Sequence, residues 1–313
     1  MPFEQKEFSG LDSPCPTHLD SIATIKKNQN AKNAVVAPKE IMKPFLKWAG
    51  SKTKIVKHLR PLFPVGDYRL IEPFVGSGVV FLNTEYQESL LSDANEDIIN
   101  LFQALKENGE NFIRRCKRLF IDENNSSTRF YEMRDDFNDS DEPEERAALF
   151  LYLNRHCFNG LCRYNKEGEF NTPFGKYESV YFPTDEMKAF AEKLANAELV
   201  TQDFRATLNG TGEGDIVYCD PPYVPLSETA NFTNYSSGGF TKTDQRDLRD
   251  LCIQAAQRGA VVVVSNHDTP FTRELYQNAF EVIPILVSRT ISCDGQNRNK
   301  AKELIAIFRE NKI

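Results

Sequence analysis

The chain has 313 residues, 40% of them hydrophobic and 27% charged, which is room for one large domain or two modest ones of ordinary globular composition. A net charge of −7 and a pI near 5.4 argue against a protein coated in nucleic acid, while a local basic face stays open because distribution matters more than the sum. No apolar run nears the length of a membrane span, the first residues lack the apolar centre of a secretory signal, and the seven cysteines form no Cys-x-x-Cys pair; a cytoplasmic protein with reduced thiols and no metal site is expected.

Residues 1–42 are polar and rich in Ser, Asn and Lys, and read as a flexible extension. Lys43 to Arg60 then carries six Lys and Arg residues and no acid. A helix is expected from Ser51, a good cap, with Ile55, Val56 and Leu59 on one face. Ahead of it Phe45, Leu46 and Trp48 lie in a loop with Lys47 and Lys52. Trp48, the sole tryptophan, reads equally as a core residue and as the wall of a ligand pocket. Tyr68 to Gly78 is a strand followed by a glycine turn, and Val79 to Leu82 opens a helix. Ser89 to Ser92 is a short strand ending in Asp93. An acid at the tip of the second strand, just after a glycine turn, is the arrangement that holds ribose hydroxyls. An adenosine-containing ligand and plain turn chemistry both fit here.

Glu96 to Phe182 changes character. Asp97 to Leu105, Asn111 to Phe120 and Pro143 to Leu153 each have helical apolar spacing. Asn154 to Asn165 and the hairpin-like run Gly168 to Tyr177 mix Arg, Asn, aromatics and glycines without a core period. Arg and Asn pair with guanine and adenine edges in the major groove, and Phe158 and Leu161 are wedge-shaped side chains for base steps; a long structural loop is the alternative. Thr184 to Ala197 reads as a Thr-capped helix, Leu199 to Phe204 as a strand, and the residues up to Gly214 as a turn region.

Asp215 to Tyr223 is the most informative stretch. Its apolar run suits a buried strand, and Pro221 and Pro222 stop the strand because neither donates to a ladder. Asp220, two stiff residues and Tyr223 are thereby presented at a strand's C-terminal end, where open α/β sheets bind ligands. Residues 224–239 are polar and aromatic, with Gly238-Gly239 as a hinge. Asp244 to Arg258 is a helix, and Ala260 to Val264 a buried strand running into Ser265-Asn266-His267-Asp268. His267 reads as a hydrogen-bonded structural residue rather than a catalytic one. Pro270 to Ala279 is a helix, and Glu281 to Val287 and Glu303 to Phe308 are closing strands around a polar loop with Arg298 and Lys300. Strands alternating with helices give a doubly wound α/β sheet with a helical block inserted.

Four marks, in this order, carry a resemblance: Phe45-Leu46-Lys47-Trp48-Ala49-Gly50-Ser51-Lys52, Glu72-Pro73-Phe74-Val75-Gly76-Ser77-Gly78, Asn154 to Asn165, and Asp220-Pro221-Pro222-Tyr223. Together with Ser265 to Asp268 and Ala230-Asn231-Phe232, they make Lys43 to Phe308 resemble the DNA adenine methyltransferase (Dam) family of the D12 class. The resemblance implies a Rossmann-like S-adenosylmethionine-dependent methyltransferase fold. Residues 43–95 and 184–313 would form the catalytic domain, and 96–183 an inserted, mostly helical target-recognition domain. It implies methyl transfer from S-adenosylmethionine to N6 of adenine in double-stranded DNA, within GATC, by a monomer that flips the base. Trp48, Lys52, Phe74, Gly76, Gly78, Asp93 and Asp220 would bind the cofactor, and Asp220, Pro221, Pro222 and Tyr223 would carry the chemistry. Lys47, Phe158, Asn159, Leu161, Arg163 and Pro173 would contact DNA, with Lys47 reading a guanine. Phe158 departs from the family's usual Tyr and Ser51 from its usual Gly, and residues 1–42 have no counterpart. The same fold acting on RNA adenine, cytosine N4 or a glutamine amide is the nearest rival, disfavoured by Asp220 at the first motif position; a non-catalytic DNA-binding repressor is the rival of another class.

Overall fold

Strands form where the chain is apolar on both faces. Asp215 to Cys219 is buried at every position, as expected of a central strand covered by helices on both sides. Five parallel strands make up most of the sheet: β1 (Arg69–Glu72), β2 (Glu88–Asp93), β3 (Ala197–Thr201), β4 (Asp215–Cys219) and β5 (Val261–His267). β6 (Glu281–Val287) and β7 (Ala301–Phe308) complete it antiparallel. The order among the described residues is β3-β2-β1-β4-β5-β7-β6. It reverses between β1 and β4, which creates a switch point with a crevice beyond the carboxyl ends of those two strands. The computed structural model describes residues 40–223, 239–287 and 301–310. The readings for residues 1–39, for Ala230 to Phe232 and Gly238, and for the loop with Arg298 and Lys300 lie outside the described residues.

The helices among the described residues are α1 (Val56–Leu59), α2 (Val79–Leu82), α3 (Glu96–Lys117), α4 (Ser127–Asp139), α5 (Pro143–His156), α6 (Thr184–Lys193), α7 (Phe204–Asn209), α8 (Lys242–Gln257) and α9 (Pro270–Leu275). Successive strand residues feed opposite faces of the sheet, as the pleat requires. Leu70, Ile216, Tyr218 and Val263 join one core with Phe102, Phe150 and Phe190. Ile71, Val217, Cys219, Val262 and Val264 join the other with Leu248 and Cys252 of α8. The first core runs on without a break into α3, α4 and α5, so the helical block shares the sheet's interior.

Several local expectations fail for identifiable reasons. Lys52–Lys54 is one turn of 3-10 helix and α1 a single α turn, in place of a continuous helix from Ser51. Ser51 makes no capping bond; its hydroxyl pairs with Thr53 instead. By contrast, the two helices expected on either side of Gly109 are both present within α3, meeting at a kink there with φ 34° and ψ −107°, a backbone state open to glycine. α4 was not anticipated, since it buries only Phe130, Met133 and Phe137. Thr184 is the first helical residue of α6 rather than its cap. The strand expected from Leu199 starts at Ala197 and ends at Thr201, because Asp203 caps α7 by accepting from the Arg205 N–H. α9 stops at Leu275, short of Ala279.

Candidate active site

The site is built outward from the end of β4. Asp220 follows Cys219, the last ladder residue. Its Oδ1 accepts from Lys52 Nζ at 2.7 Å and from Ser265 Oγ at 3.1 Å. Ser265 Oγ also lies 2.9 Å from the Tyr218 hydroxyl. Gln245 of α8 donates to the Pro222 carbonyl at 2.9 Å, and Asn266 of β5 donates to Gln245 at 3.0 Å. The Asp-Pro-Pro-Tyr turn is thus tied to its neighbours through buried side chains, the condition for a preorganised site. Lys52 also donates to the Gly50 carbonyl at 2.6 Å and stands 4.5 Å from the Tyr223 ring centroid.

Burial pushes the Asp220 carboxyl above its ordinary range, and the Lys52 ammonium beside it works against that shift. Glu72, 2% exposed at the end of β1, goes further. Burial drives it to about 8, opposed by the Phe81 N–H that donates to it at 2.5 Å, with the charge on Asp220 adding to the rise. Glu72 therefore keeps its proton at neutral pH and leaves Asp220 as the charged partner, since two neighbouring carboxylates resist joint ionisation. Burial also lifts the Tyr218, Cys219 and Tyr223 groups well above their ordinary values. Cys219 stays a thiol, which is a poor nucleophile.

The glycine turn approaches from β1. Asp93, at the tip of β2, accepts from the Gly76 N–H at 3.0 Å through Oδ2 and from the Asn95 N–H at 3.0 Å through Oδ1. Gly76 has φ 48°, and a Cβ there would stand 2.7 Å from the Trp48 indole nitrogen. Any side chain at Gly76 would thus displace Trp48, so the two are mutually required. Trp48 is half-buried. It lines a cavity of about 500 Å³ that also meets Lys52, Phe74, Gly76, Asp93 and the Asp220–Tyr223 turn. Gly78 lies outside that lining and packs against Phe190 instead. A second cavity, about 370 Å³, shares Trp48, Phe74, Asp93 and Pro222 as walls and adds Asn95, Asp203, Phe204 and Phe240. Phe74 stacks on Phe204 at 5.3 Å and meets Phe240 edge-on at 5.8 Å, forming an apolar wall of the second cavity.

Sequence reasoning gave no role to Glu72, Asp203, Phe204, Phe240, Ser265 or Glu303, all of which line these cavities or bond to their walls. Glu72 had a signal, an acid directly before the Pro-Phe of the turn. Ser265 and Glu303 had little, because their place depends on how β5 and β7 pair.

The DNA-contact candidates gather elsewhere, around one hairpin. Cys157 pairs with Phe174 and Tyr164 with Phe170 in isolated bridges. Phe158 is 49% exposed, and its N–H donates to the Pro173 carbonyl at 2.8 Å. Asn159 is exposed, with φ 54°, and its N–H donates to the Tyr177 hydroxyl at 2.9 Å. Leu161 is half-buried. Arg163 is exposed and holds the Asn171 side chain and carbonyl at 2.7 and 3.0 Å. Lys47 joins them from the N-terminal side. The fully buried Asn154 amide accepts from the Lys47 N–H at 2.9 Å and donates to its carbonyl at 2.6 Å. The Lys47 ammonium donates to the Arg155 carbonyl at 3.0 Å and lies 4.0 Å from the Tyr177 ring centroid. Burial and the Arg155 charge lower its pKa.

Comparison with known proteins agrees with this geometry. Residues 48–291 match the family model of the D12 class N6 adenine-specific DNA methyltransferases. The chain is 50% identical over 266 residues to a DNA adenine methylase of Serratia marcescens, covering 85% of this chain and 98% of that protein. It is 46% identical to the DNA adenine methylase of Vibrio cholerae serotype O1, over 84% of this chain and 95% of that one. Against the DNA adenine methylase of Escherichia coli K12 the identity is 43%, over 85% and 95%. This chain belongs to the D12 class N6 adenine-specific DNA methyltransferase family and is an adenine-specific DNA methyltransferase.

Proposed function

We propose that the enzyme methylates N6 of adenine within GATC in double-stranded DNA, using S-adenosylmethionine and acting on a base flipped out of the duplex. The observation that carries this reading is the Asp220 to Tyr223 turn, held at the floor of a cavity whose other wall is the Gly76–Asp93–Trp48 cluster. Two adjoining cavities with shared walls suit an elongated ligand. The Phe74–Phe204–Phe240 wall offers an apolar face to a flat ring, Asp93 is an acceptor for ribose hydroxyls, and Lys52 lies where a carboxylate would be met.

S-adenosylmethionine supplies a methyl group on a positively charged sulfur, which departs as a neutral thioether. The adenine amine is a weak nucleophile because its lone pair is delocalised into the ring. Asp220 and the Pro221 carbonyl accept hydrogen bonds from its two hydrogens, which draws the lone pair out of the ring plane and favours the positive charge that develops at N6. Lys52 and Ser265 both engage Oδ1 of Asp220 and hold the carboxylate in place. After transfer N6 releases one proton and keeps the methyl. Tyr223 stacks on the base, whose extrusion costs a few kcal/mol that the pocket contacts return. Residues 96–183 serve as the recognition part, with Lys47, Phe158, Asn159, Leu161, Arg163 and Pro173 at the DNA.

The deciding experiment is sequencing of unmethylated plasmid DNA after incubation with the purified protein and S-adenosylmethionine, read for modified base and position. N6-methyladenine confined to GATC is the expected result. Modified cytosine, or adenine methylation spread over unrelated sites, overturns the corresponding part of the proposal.

A further inference from the structure

The ring of Tyr223 is anchored by a side chain that comes from the far end of the chain. Its hydroxyl donates to Glu303 Oε2 at 3.1 Å, across 80 residues of sequence. Glu303 sits on β7, directly opposite His267 of β5 in the ladder. The His267 ring meets the Tyr223 ring edge-on, with centroids 4.7 Å apart. Tyr223, His267 and Glu303 all line the larger cavity. Burial, with the charges of Asp220 and Glu303 adding to it, holds the phenol pKa well above its ordinary value; the hydroxyl keeps its proton and stays a donor. A tyrosine ring turns about two side-chain bonds. The hydroxyl lies on the axis of the second, so a hydrogen bond there to a charged acceptor fixes the swing of the ring about the first, while the His267 edge contact limits rotation about the second.

We infer that Glu303 is a positioning residue for methyl transfer, fixing where the ring of Tyr223 stands against the extruded adenine. This rests on the reading of Tyr223 as the stacking platform. A tilt of that ring moves N6 away from the line of attack, and reacting atoms misplaced by about 1 Å cost on the order of 100-fold in rate. Loss of Glu303 is therefore a defect in the chemical step, with cofactor binding spared. Glu303→Gln keeps an acceptor oxygen at the same place and serves as the conservative variant.

The test uses the full-length enzyme with duplex DNA in single-turnover methylation, cofactor affinity by equilibrium binding, and fluorescence of 2-aminopurine placed at the target adenine. Glu303→Ala is expected to lower the single-turnover rate about tenfold or more, a charged hydrogen bond's share. Cofactor Kd should change less than about twofold, and 2-aminopurine should lose the quenching that ring stacking gives, for the same loss of alignment. Glu303→Gln should recover most of the rate. In a Tyr223→Phe background, which lacks the hydroxyl, Glu303→Ala should cost nothing further, because the two residues act as one unit. Additive losses in the double variant, or a Glu303→Ala enzyme of normal rate beside an inactive Tyr223→Ala enzyme, overturn the role of Glu303 alone. A Tyr223→Ala enzyme of normal rate overturns the stacking reading and this inference together.

Discussion

The β4 end of the cleft and the recognition hairpin hold polar groups in opposite ways. At β4 the charges are withdrawn from solvent and paired at once: Asp220 with Lys52, Tyr223 with Glu303, Pro222 with Gln245. At the hairpin Asn159 and Arg163 are exposed, and their partners Tyr177 and Asn171 are hairpin neighbours. The first arrangement spends its organising energy during folding, so little rearrangement is left for the reaction. In the proposed role the second would exchange internal hydrogen bonds for bonds to bases, and such an exchange is nearly balanced in free energy. A balanced exchange yields little affinity, but it is costly when the wrong base leaves the hairpin groups unpaired. Chemistry and discrimination thus use the same side-chain types under different burial.

Substitutions can break or sharpen that contrast, and the largest effect belongs at β4. Asp220→Ala should reduce methyl transfer by about 10³-fold or more while circular dichroism and thermal melting stay close to those of the parent. Turnover near normal would remove Asp220 from the chemistry. At the hairpin, Lys47→Ala should weaken discrimination at one base pair by about 1–3 kcal/mol, with a smaller change in binding to unrelated DNA. Equal methylation ratios on cognate and one-base-altered sites would end its assignment as a base reader.

Lys52→Ala tests how the buried charge is kept. The Lys52 ammonium is the largest influence opposing burial at Asp220, so its removal raises the Asp220 pKa further. On the proposed mechanism activity needs the ionised carboxylate and is lost as pH falls through that pKa. The acidic limb of the single-turnover profile, measured at saturating cofactor, should therefore move to higher pH. A limb that stays in place means the ion pair is not what keeps Asp220 charged. The smallest effect is expected for Phe158→Tyr, which adds only a hydroxyl to an exposed ring. Site-specific rate should change less than about threefold, and a larger gain would show that the hydroxyl contact itself matters.

The sequence was most legible where one physical demand dominates. The apolar runs at Ile216–Cys219 and Val261–Val264 could only be buried strands, and Pro221 and Pro222 could only end one. The glycine turn and Asp93 fell into place because a close backbone approach needs glycine at Gly76. The break at Gly109 was legible as well, because a glycine between two helical runs takes a backbone state that other residues avoid. α4 escaped because three buried residues give a weak period. Asp203 and Phe204 were missed because they read as the end of a strand, and their cavity exists only once Phe74 and Phe240 arrive. The contact of Lys47 with Asn154 was not legible, since 107 residues separate them. Pairing across such distances leaves no local trace.

The strand order has a consequence for the birth of the enzyme. β7 is the last strand in the chain but an interior one in the sheet, flanked by β5 and β6. Until residues 301–308 have been translated and have left the ribosome, β5 and β6 are separated by a gap, with unpaired backbone groups on both sides. The nascent chain can already hold the complete Asp-Pro-Pro-Tyr sequence and still lack the strand that closes the sheet around it. A modification written permanently into DNA is thus deferred until synthesis of the sheet is finished, and a product truncated before β7 is a candidate for degradation rather than a careless methylase.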